Sequence, residues 1–446
     1  MALEWRRRGV MSYRRSVLLC CLWLLCLWGS SEAFAAEEYS FDLSGYEKRP
    51  YEFNGYAELR WEQLRFNTDA ALYKINFFDQ PARETLNRNN AAVQLEGRYR
   101  KGNLTFYARV LPSAYSDALN SDSQFDTHEL NAMWQVKPGL SLDAGKKLMK
   151  WGKGYAWNPV GFIERPKDPN EPDLGREGYV ILGADLITTH SGPLQTIAFT
   201  PVLLPVYDNV NEDYSETNGE TNHLNLAGKL YLLYNDTDID LLFLAKGSRT
   251  ARVGADFSRN ISTNFEVHGE WAFINDDPQQ FINSSGVLDT RTRDARRWLL
   301  GMRYLTETET TYILEYYRND AGFSEDETKW FYQRVDAAYM AGDTSALKQL
   351  RSVAKNIYAA PTMMQDYLYL RAMQKDPFDI LYVTPALTLI YNLDDRSYNA
   401  SPELVYTGIS NLELRAKLNF LHGGRLTEFG EKQNDSRLEL RVRYFF

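Results

Sequence analysis

Cysteine is nearly absent: the 446 residues hold three, and Cys20, Cys21 and Cys26 all lie near the N-terminus. Once that segment is removed, disulfide scaffolding, thiol catalysis, Cys-ligated metal and haem attachment through C-x-x-C-H are excluded. Leu25, the residue before Cys26, is too bulky for a lipoprotein cleavage site. Beyond the N-terminal segment there is no apolar run of 18 residues, so a bilayer could be crossed only by strands. Histidine is scarce too. His128, His190, His223, His268 and His422 fall on separate strands or loops and read as solvated residues; His268 alone sits mid-strand, beside Glu266 and Glu270. With no G-x-S-x-G, H-E-x-x-H or phosphate-cradling motif, no enzymatic activity, cofactor or metal is expected.

What the N-terminus does have is an export leader. Arg6, Arg7, Arg8, Arg14 and Arg15 form a positive region, Val17 to Trp28 is apolar, and Ala33-Phe34-Ala35 offers a cleavage point. Twelve apolar residues fall well short of the roughly 20 that a spanning helix requires. The reading is a signal peptide over 1–35, a polar periplasmic segment over 36–50, and the folded body over 51–446. The leader carries five arginines and two acids, so 45 bases and 57 acids remain, a net charge of −12. An acidic chain of this kind is not expected to bind nucleic acid through bulk charge.

The last ten residues show the pattern that organises the rest. Leu438, Leu440, Val442, Tyr444 and Phe446 share one face of a strand, and Arg437, Glu439, Arg441 and Arg443 share the other. Such a strand needs oil on one side and water on the other. The motif resembles the terminal signal of bacterial outer-membrane β-barrels, the class that includes the porins, in which a C-terminal Phe and alternate apolar residues are read by the assembly machinery. The resemblance implies an outer-membrane location in a Gram-negative cell. It also implies partners in membrane lipid, lipopolysaccharide and the barrel-assembly machinery, and leaves a homo-oligomer or a periplasmic partner open.

The same alternation recurs from Gly55 onward. Val93, Leu95, Gly97 and Tyr99 alternate with Gln94, Glu96, Arg98 and Arg100; Lys101-Gly102-Asn103 turns the chain and Leu104, Phe106, Ala108 and Val110 return. Counting such segments predicts an all-β fold, an up-and-down antiparallel transmembrane barrel of about 18 strands, with 16 also compatible. Eight inner turns of two to five residues are expected. Long outer connections are placed at 63–90, 113–126, 151–178, 205–220, 275–294, 321–365 and 422–436, with short ones at 247–250 and 392–396. Tyr99, Tyr304, Tyr312 and Tyr444 fall at inner strand ends and Trp61, Phe273 and Trp298 at outer ones, as aromatic girdles require. The competing soluble β-sandwich explains neither a charged face on every strand nor the terminal Phe446.

Two outer connections stand apart. In 321–365, Ser324 with Glu327 is a capping box, followed by Phe331, Val335, Ala338 and Tyr339 at helical spacing; Asp343 caps a second helix through Leu350. The two helices are expected to pack on each other as a cap over the rim, the alternative being a plug. The other is Trp151 to Gly178. Pro159, Pro166, Pro169 and Pro172 stiffen it, and Glu164, Arg165, Lys167, Asp168, Glu171, Asp173 and Arg176 interleave both charges. As the third outer loop it resembles the one that folds inward to constrict general porins, the bland alternative being an exposed rim loop. Lys146, Lys147 and Lys150 cannot all face inward under one parity, which suggests a bulge.

Closure would place Arg60, Arg98, Arg100, Arg109, Arg415, Lys417, Arg437, Arg441 and Arg443 on one inner wall with Glu58, Glu62, Glu96, Glu413 and Glu439. Opposite would stand Asp240, Asp256, Glu266, Glu270 and Glu315 against Lys229, Lys246 and Arg303, with Arg252 and Arg297 at the margin. The function expected is a porin-like channel for small hydrophilic solutes, with the basic wall favouring anions. The alternatives are a conduit for acidic polysaccharide, a sheath around a transmembrane cytochrome, and a plugged structural or adhesin barrel.

Overall fold

A computed structural model describes residues 49–215, 221–358 and 360–446; the expected leader lies outside them. Alternating polar and apolar residues pair into 18 strands. They are β1 (Tyr51–Phe66), β2 (Thr85–Lys101), β3 (Leu104–Asp117), β4 (Ser121–Lys137), β5 (Leu140–Lys147), β6 (Tyr179–Thr189), β7 (Leu194–Val206), β8 (His223–Tyr234) and β9 (Thr237–Leu244). The ring continues through β10 (Arg252–Ser262), β11 (Phe265–Ile282), β12 (Leu288–Leu305), β13 (Thr310–Asn319), β14 (Asp366–Gln374), β15 (Val383–Asn392), β16 (Tyr398–Ile409), β17 (Leu412–His422) and β18 (Asn434–Phe445). Each is antiparallel to its sequence neighbours, and β18 pairs with β1, so the sheet has no free edge. Phe446 completes the seam: its N–H and carbonyl exchange hydrogen bonds of 3.1 and 3.0 Å with Gly55. A Cβ at Gly55 would sit 2.2 Å from the Gln94 carbonyl and 3.0 Å from the Phe446 ring, so the closure needs glycine there.

The burial pattern is inverted relative to a water-soluble fold. Leu59 on the outer face is 63% exposed, whereas Lys417 on the inner face is 1% exposed. Leu130, Leu182, Leu300, Leu404, Leu440 and Val442 are likewise exposed on the outside. A continuous apolar belt of this extent suits hydrocarbon rather than water.

Chain connections separate the two ends. At one end lie short turns, seven of them at 102–103, 138–139, 190–193, 235–236, 263–264, 306–309 and 410–411. The eighth, 375–382, is longer than expected and contains a 3-10 turn at Pro377–Asp379. At the other end, two expected long loops are strand instead. Residues 113–126 belong to the β3–β4 hairpin, whose turn is 118–120, and 275–294 to β11–β12, whose turn is 283–287. Strands of 18 residues outrun the roughly 10 needed to cross a membrane. Their tips lie beyond the lipid, where Ile282 is buried against the helices, so the regular alternation stops where backbone pairing does not.

The helices lie at the long-loop end. The expected pair is present as α2 (Glu325–Met340), with the Ser324–Glu327 capping box, and α3 (Thr344–Val353), capped by Asp343. A further helix, α1 (Ala71–Phe77), joins them from the first connection. Rather than packing only on each other, the helices share one apolar cluster with Phe429, the barrel residues Tyr317, Tyr367 and Tyr369, and Trp157. Lys74 of α1 and Arg425 both pair with Asp336 of α2, the former at 2.6 Å.

No bulge lies at Lys146–Lys150. The β5 ladder to β6 keeps register from Leu140 to Lys147, and that to β4 from Ser141 to Lys146, its one shift lying at the far end between Gln135 and Lys137. The chain leaves the sheet after Lys147, and Gly145 adopts a left-handed φ of +114°. Lys147 pairs with Asp143 at 2.7 Å, while Lys146 reaches Glu177.

Candidate functional site: the loop across the lumen

Residues 148–178 leave β5 and return to β6, and between them the chain reaches strands on opposite sides of the ring. The first half is fixed to the acidic wall by its backbone. Glu270 on β11 accepts the N–H groups of Lys153, Gly154 and Val160 at 2.7, 2.5 and 3.2 Å. Glu315 on β13 accepts those of Tyr155 and Ala156, the latter at 2.8 Å. Successive N–H groups wrapped around a carboxylate make an anion-holding nest. Its glycines are required: Gly152 has φ +92° and a Cβ there would fall 2.7 Å from Glu270, while at Gly154 it would fall 2.6 Å from the Leu299 side chain.

Apolar packing reinforces this half. Val160, Phe162 and Ile163 are buried against Ile181, Val202, Leu204, Leu242 and Leu244 on the inner wall. Trp157 stacks on Tyr317 with ring centroids 4.9 Å apart and donates its indole N–H to Thr362 at 3.1 Å. Lys153 reaches Asp240 at 3.1 Å and Asp256 at 3.9 Å, neighbours across the β9–β10 ladder.

The second half is held differently. Apart from Pro169 and Gly178, no residue of 165–178 is buried. Glu171 is its anchor to the basic wall: it takes a hydrogen bond of 2.7 Å from Lys417 Nζ and three of 3.2 Å from the Arg415 guanidinium. Lys417 also donates to the Asn170 carbonyl at 2.7 Å, and Asn399 bonds Asn170. Burial works to raise the Glu171 carboxyl, but Lys417 and Arg415 outweigh it and hold it below the usual carboxylate range.

Within the loop, Glu164 accepts the Trp151 N–H and pairs with Arg176 at 2.7 Å. Burial pushes its carboxyl up to about 7 against the opposing pull of Arg176. Lys167 donates to the Gly154 carbonyl, and its amine is lowered by burial and by Arg176. Arg165 pairs with Asp213 and, at 2.9 Å, with Glu177; Asp173 accepts from the Tyr155 hydroxyl at 2.9 Å; Asp168 accepts from the Asn170 N–H at 2.9 Å.

All nine bases expected on one wall occupy inward positions on β1–β3, β17 and β18. Eight of them are already in ion pairs. Arg98 and Arg100 pair with Glu52, Arg109 with Glu129, Arg415 with Glu171 and Glu403, and Lys417 with Glu171. Arg437 pairs with Glu62, Arg441 with Glu58 and Glu439, and Arg443 with Glu58. Arg60 has no ion pair within 4.0 Å among the described residues, and its buried Nε lacks a hydrogen-bond partner. Arg60, Arg441 and Arg415 are lateral neighbours on β1, β18 and β17. Like charges so placed repel.

On the facing wall, Asp240, Asp256, Glu270 and Glu315 are buried, and so is His268, which therefore is not the solvated residue expected. Its Nε2 lies 2.8 Å from Glu315 and its Nδ1 3.6 Å from Glu266. No serine or threonine hydroxyl is hydrogen-bonded to it among the described residues. His128 is also buried, at the β3–β4 register shift.

No protein-family model matches the chain, and no curated protein matches it. Among solved structures it is similar to a triple mutant of the Rhodopseudomonas blastica porin, at 11% identity over 89% of this chain and 100% of that one, with a TM-score of 0.42. It is similar also to Pseudomonas aeruginosa OccK5, at 11% identity over 89% of this chain and 98% of that one, with a TM-score of 0.48. The neighbours of this closed 18-stranded barrel are thus bacterial porins.

Proposed function

We propose that this chain is an outer-membrane channel for small hydrophilic solutes, narrowed by the 148–178 loop and favouring anions. The observation that carries the reading is the inverted partition: a closed barrel with an apolar outer face, charged inner walls and a loop tied across the interior. The row of Arg415, Arg441 and Arg60 supports the anion preference, because three guanidinium groups side by side are stabilised by negative charge passing over them. A loop anchored on both walls argues against the conduit readings, since a polymer strand or an enclosed cytochrome needs an open bore. It is also what a plugged structural barrel would show.

Planar-bilayer recording of the purified protein tests this. Discrete ohmic steps with an anion-selective reversal potential in a KCl gradient are expected, and Arg60→Ala should move that potential toward cations. Absence of steps would overturn the channel and favour the plugged barrel. A cation-selective wild type would sink the anion preference alone.

A further inference from the structure

The two anchors of the loop differ in what could replace them. Glu270 and Glu315 belong to the wall and grip backbone N–H groups. On the basic wall the roles are reversed: the wall supplies cations, and the loop supplies a single carboxylate. Arg415 presents both terminal nitrogens to Glu171 at 3.2 Å while Lys417 Nζ approaches at 2.7 Å. A guanidinium fork with an ammonium beside it recognises a carboxylate group by geometry and charge, whichever molecule carries it. Lys417 is 1% exposed, so this is a built and desolvated seat rather than a surface contact.

We propose that Arg415 and Lys417 form a carboxylate-binding subsite for the transported solute, occupied in the resting channel by the chain's own Glu171, which a carboxylate solute displaces to free the second half of the loop. The inference rests on the channel reading above. Three features support it. First, only Pro169 and Gly178 of residues 165–178 are fully buried, and these residues are tied to the basic wall by polar contacts, at Asn170 and Glu171 and at the Arg176 carbonyl, which accepts from Arg109 at 2.9 Å. Second, an arriving carboxylate has a neighbouring landing group in Arg60, which has no acid of its own within ion-pair distance. Third, Glu171 is a ligand on a short tether, which sets its effective concentration on the order of millimolar or above. Free carboxylate competes once it reaches that range. A neutral solute of the same size has nothing to offer either cation.

The subsite also needs its acid partner on the wall. Glu403 pairs with Arg415 and, at 3.6 Å, with Arg371, which keeps the guanidinium turned toward the loop when Glu171 leaves. Glu403 is thus a positioning residue, and Glu171 is the displaceable occupant.

The test is single-channel recording at constant ionic strength, in which acetate replaces chloride in steps through the millimolar range, with glycerol as the neutral control. In the wild type, acetate is expected to raise the open conductance about twofold, as one half of the constriction leaves a lumen of this strand number; glycerol should do nothing. Glu171→Gln keeps the shape and loses the charge, so it should start at the raised conductance and ignore acetate. A wild type whose conductance acetate leaves unchanged or lowers, or an acetate response that persists in Glu171→Gln, would overturn the displaceable latch while leaving the channel standing. Silence of both proteins in every salt would overturn the channel reading and the latch with it.

Discussion

The two halves of the 148–178 loop are close in length, yet they are held to the barrel by different physics. Residues 151–163 bury Trp151, Ala156, Trp157, Val160, Phe162 and Ile163 and give five backbone N–H groups to two wall carboxylates. Residues 165–178 fully bury only Pro169 and Gly178 and reach the far wall through Glu171, Asn170 and the Arg176 carbonyl, which accepts from Arg109 at 2.9 Å. Prolines at 166, 169 and 172 keep the second half extended without giving it a core. Where backbone donors meet buried acids, no loop side chain supplies the contact, and only an exchange that clashes with it, as at Gly152 or Gly154, can undo it from the loop. Where one side chain meets two cations, a single competing ion can. A loop held this way is fixed on its acidic side, and the displaceable contact proposed above lies on its basic side.

The largest change should come from undoing the rigid side. Glu270→Ala with Glu315→Ala leaves five N–H groups without acceptors in a desolvated site. Hydrogen bonds to a charged group contribute about 1.5–3 kcal/mol each, and buried donors left unpaired cost further. The loop should detach, single-channel conductance should rise several-fold, and proteolysis of intact vesicles should cut between 151 and 178, where the wild type resists. Wild-type conductance in this variant would mean that apolar packing of Trp157 and Phe162 alone holds the first half.

A smaller effect separates wall charge from loop anchoring. Lys153 lies between Asp240 and Asp256, with Lys229 3.7 Å from Asp240 as the other nearby cation. Lys153→Met should leave the nest around Glu270 intact and conductance near wild type. It should uncover negative charge on the acidic wall, so the reversal potential should move toward cation preference, and less so at molar salt, where the screening length falls to about 3 Å. A large conductance change would show that Lys153 is itself an anchor.

The barrel was legible in the sequence because water inside and lipid outside impose a period of two on every crossing strand. Past the membrane the contrast vanishes. The tips of β3–β4 and β11–β12 therefore read as loops, and α1 went unread with them, although Ala71, Leu72 and Ile75 share its buried face. The inward course of the loop was suggested by its position and length. Its anchorage was not, since backbone N–H groups carry no residue signature; Gly152 and Gly154 were the available hint. The pairing of eight wall bases was hidden for another reason. Glu52, Glu129, Glu171 and Glu403 meet their partners only through register or through the loop's path.

The smallest expected effect is a pH dependence inside the loop itself, at the joint between its two halves. Glu164 is buried beside Arg176, with Trp151 N–H bonded to it, and burial raises its carboxyl from 4.5 to about 7. Its folded value lies above that of a solvated carboxyl, so between those two pH values the closed loop holds a proton that an opened loop releases. Closure therefore gains on acidification through 7, the gain is complete below about 4.5, and it is lost as pH rises through 7. Lys167, lowered by burial and by Arg176, acts in the alkaline range with the opposite sign. Brief openings in single-channel records should thus become more frequent between pH 5 and pH 8 in the wild type. In Glu164→Gln, which is neutral throughout, the frequency should stay flat over that interval. Equal pH dependence in both proteins would move the titrating group elsewhere and leave the Glu164–Arg176 contact a purely structural clasp.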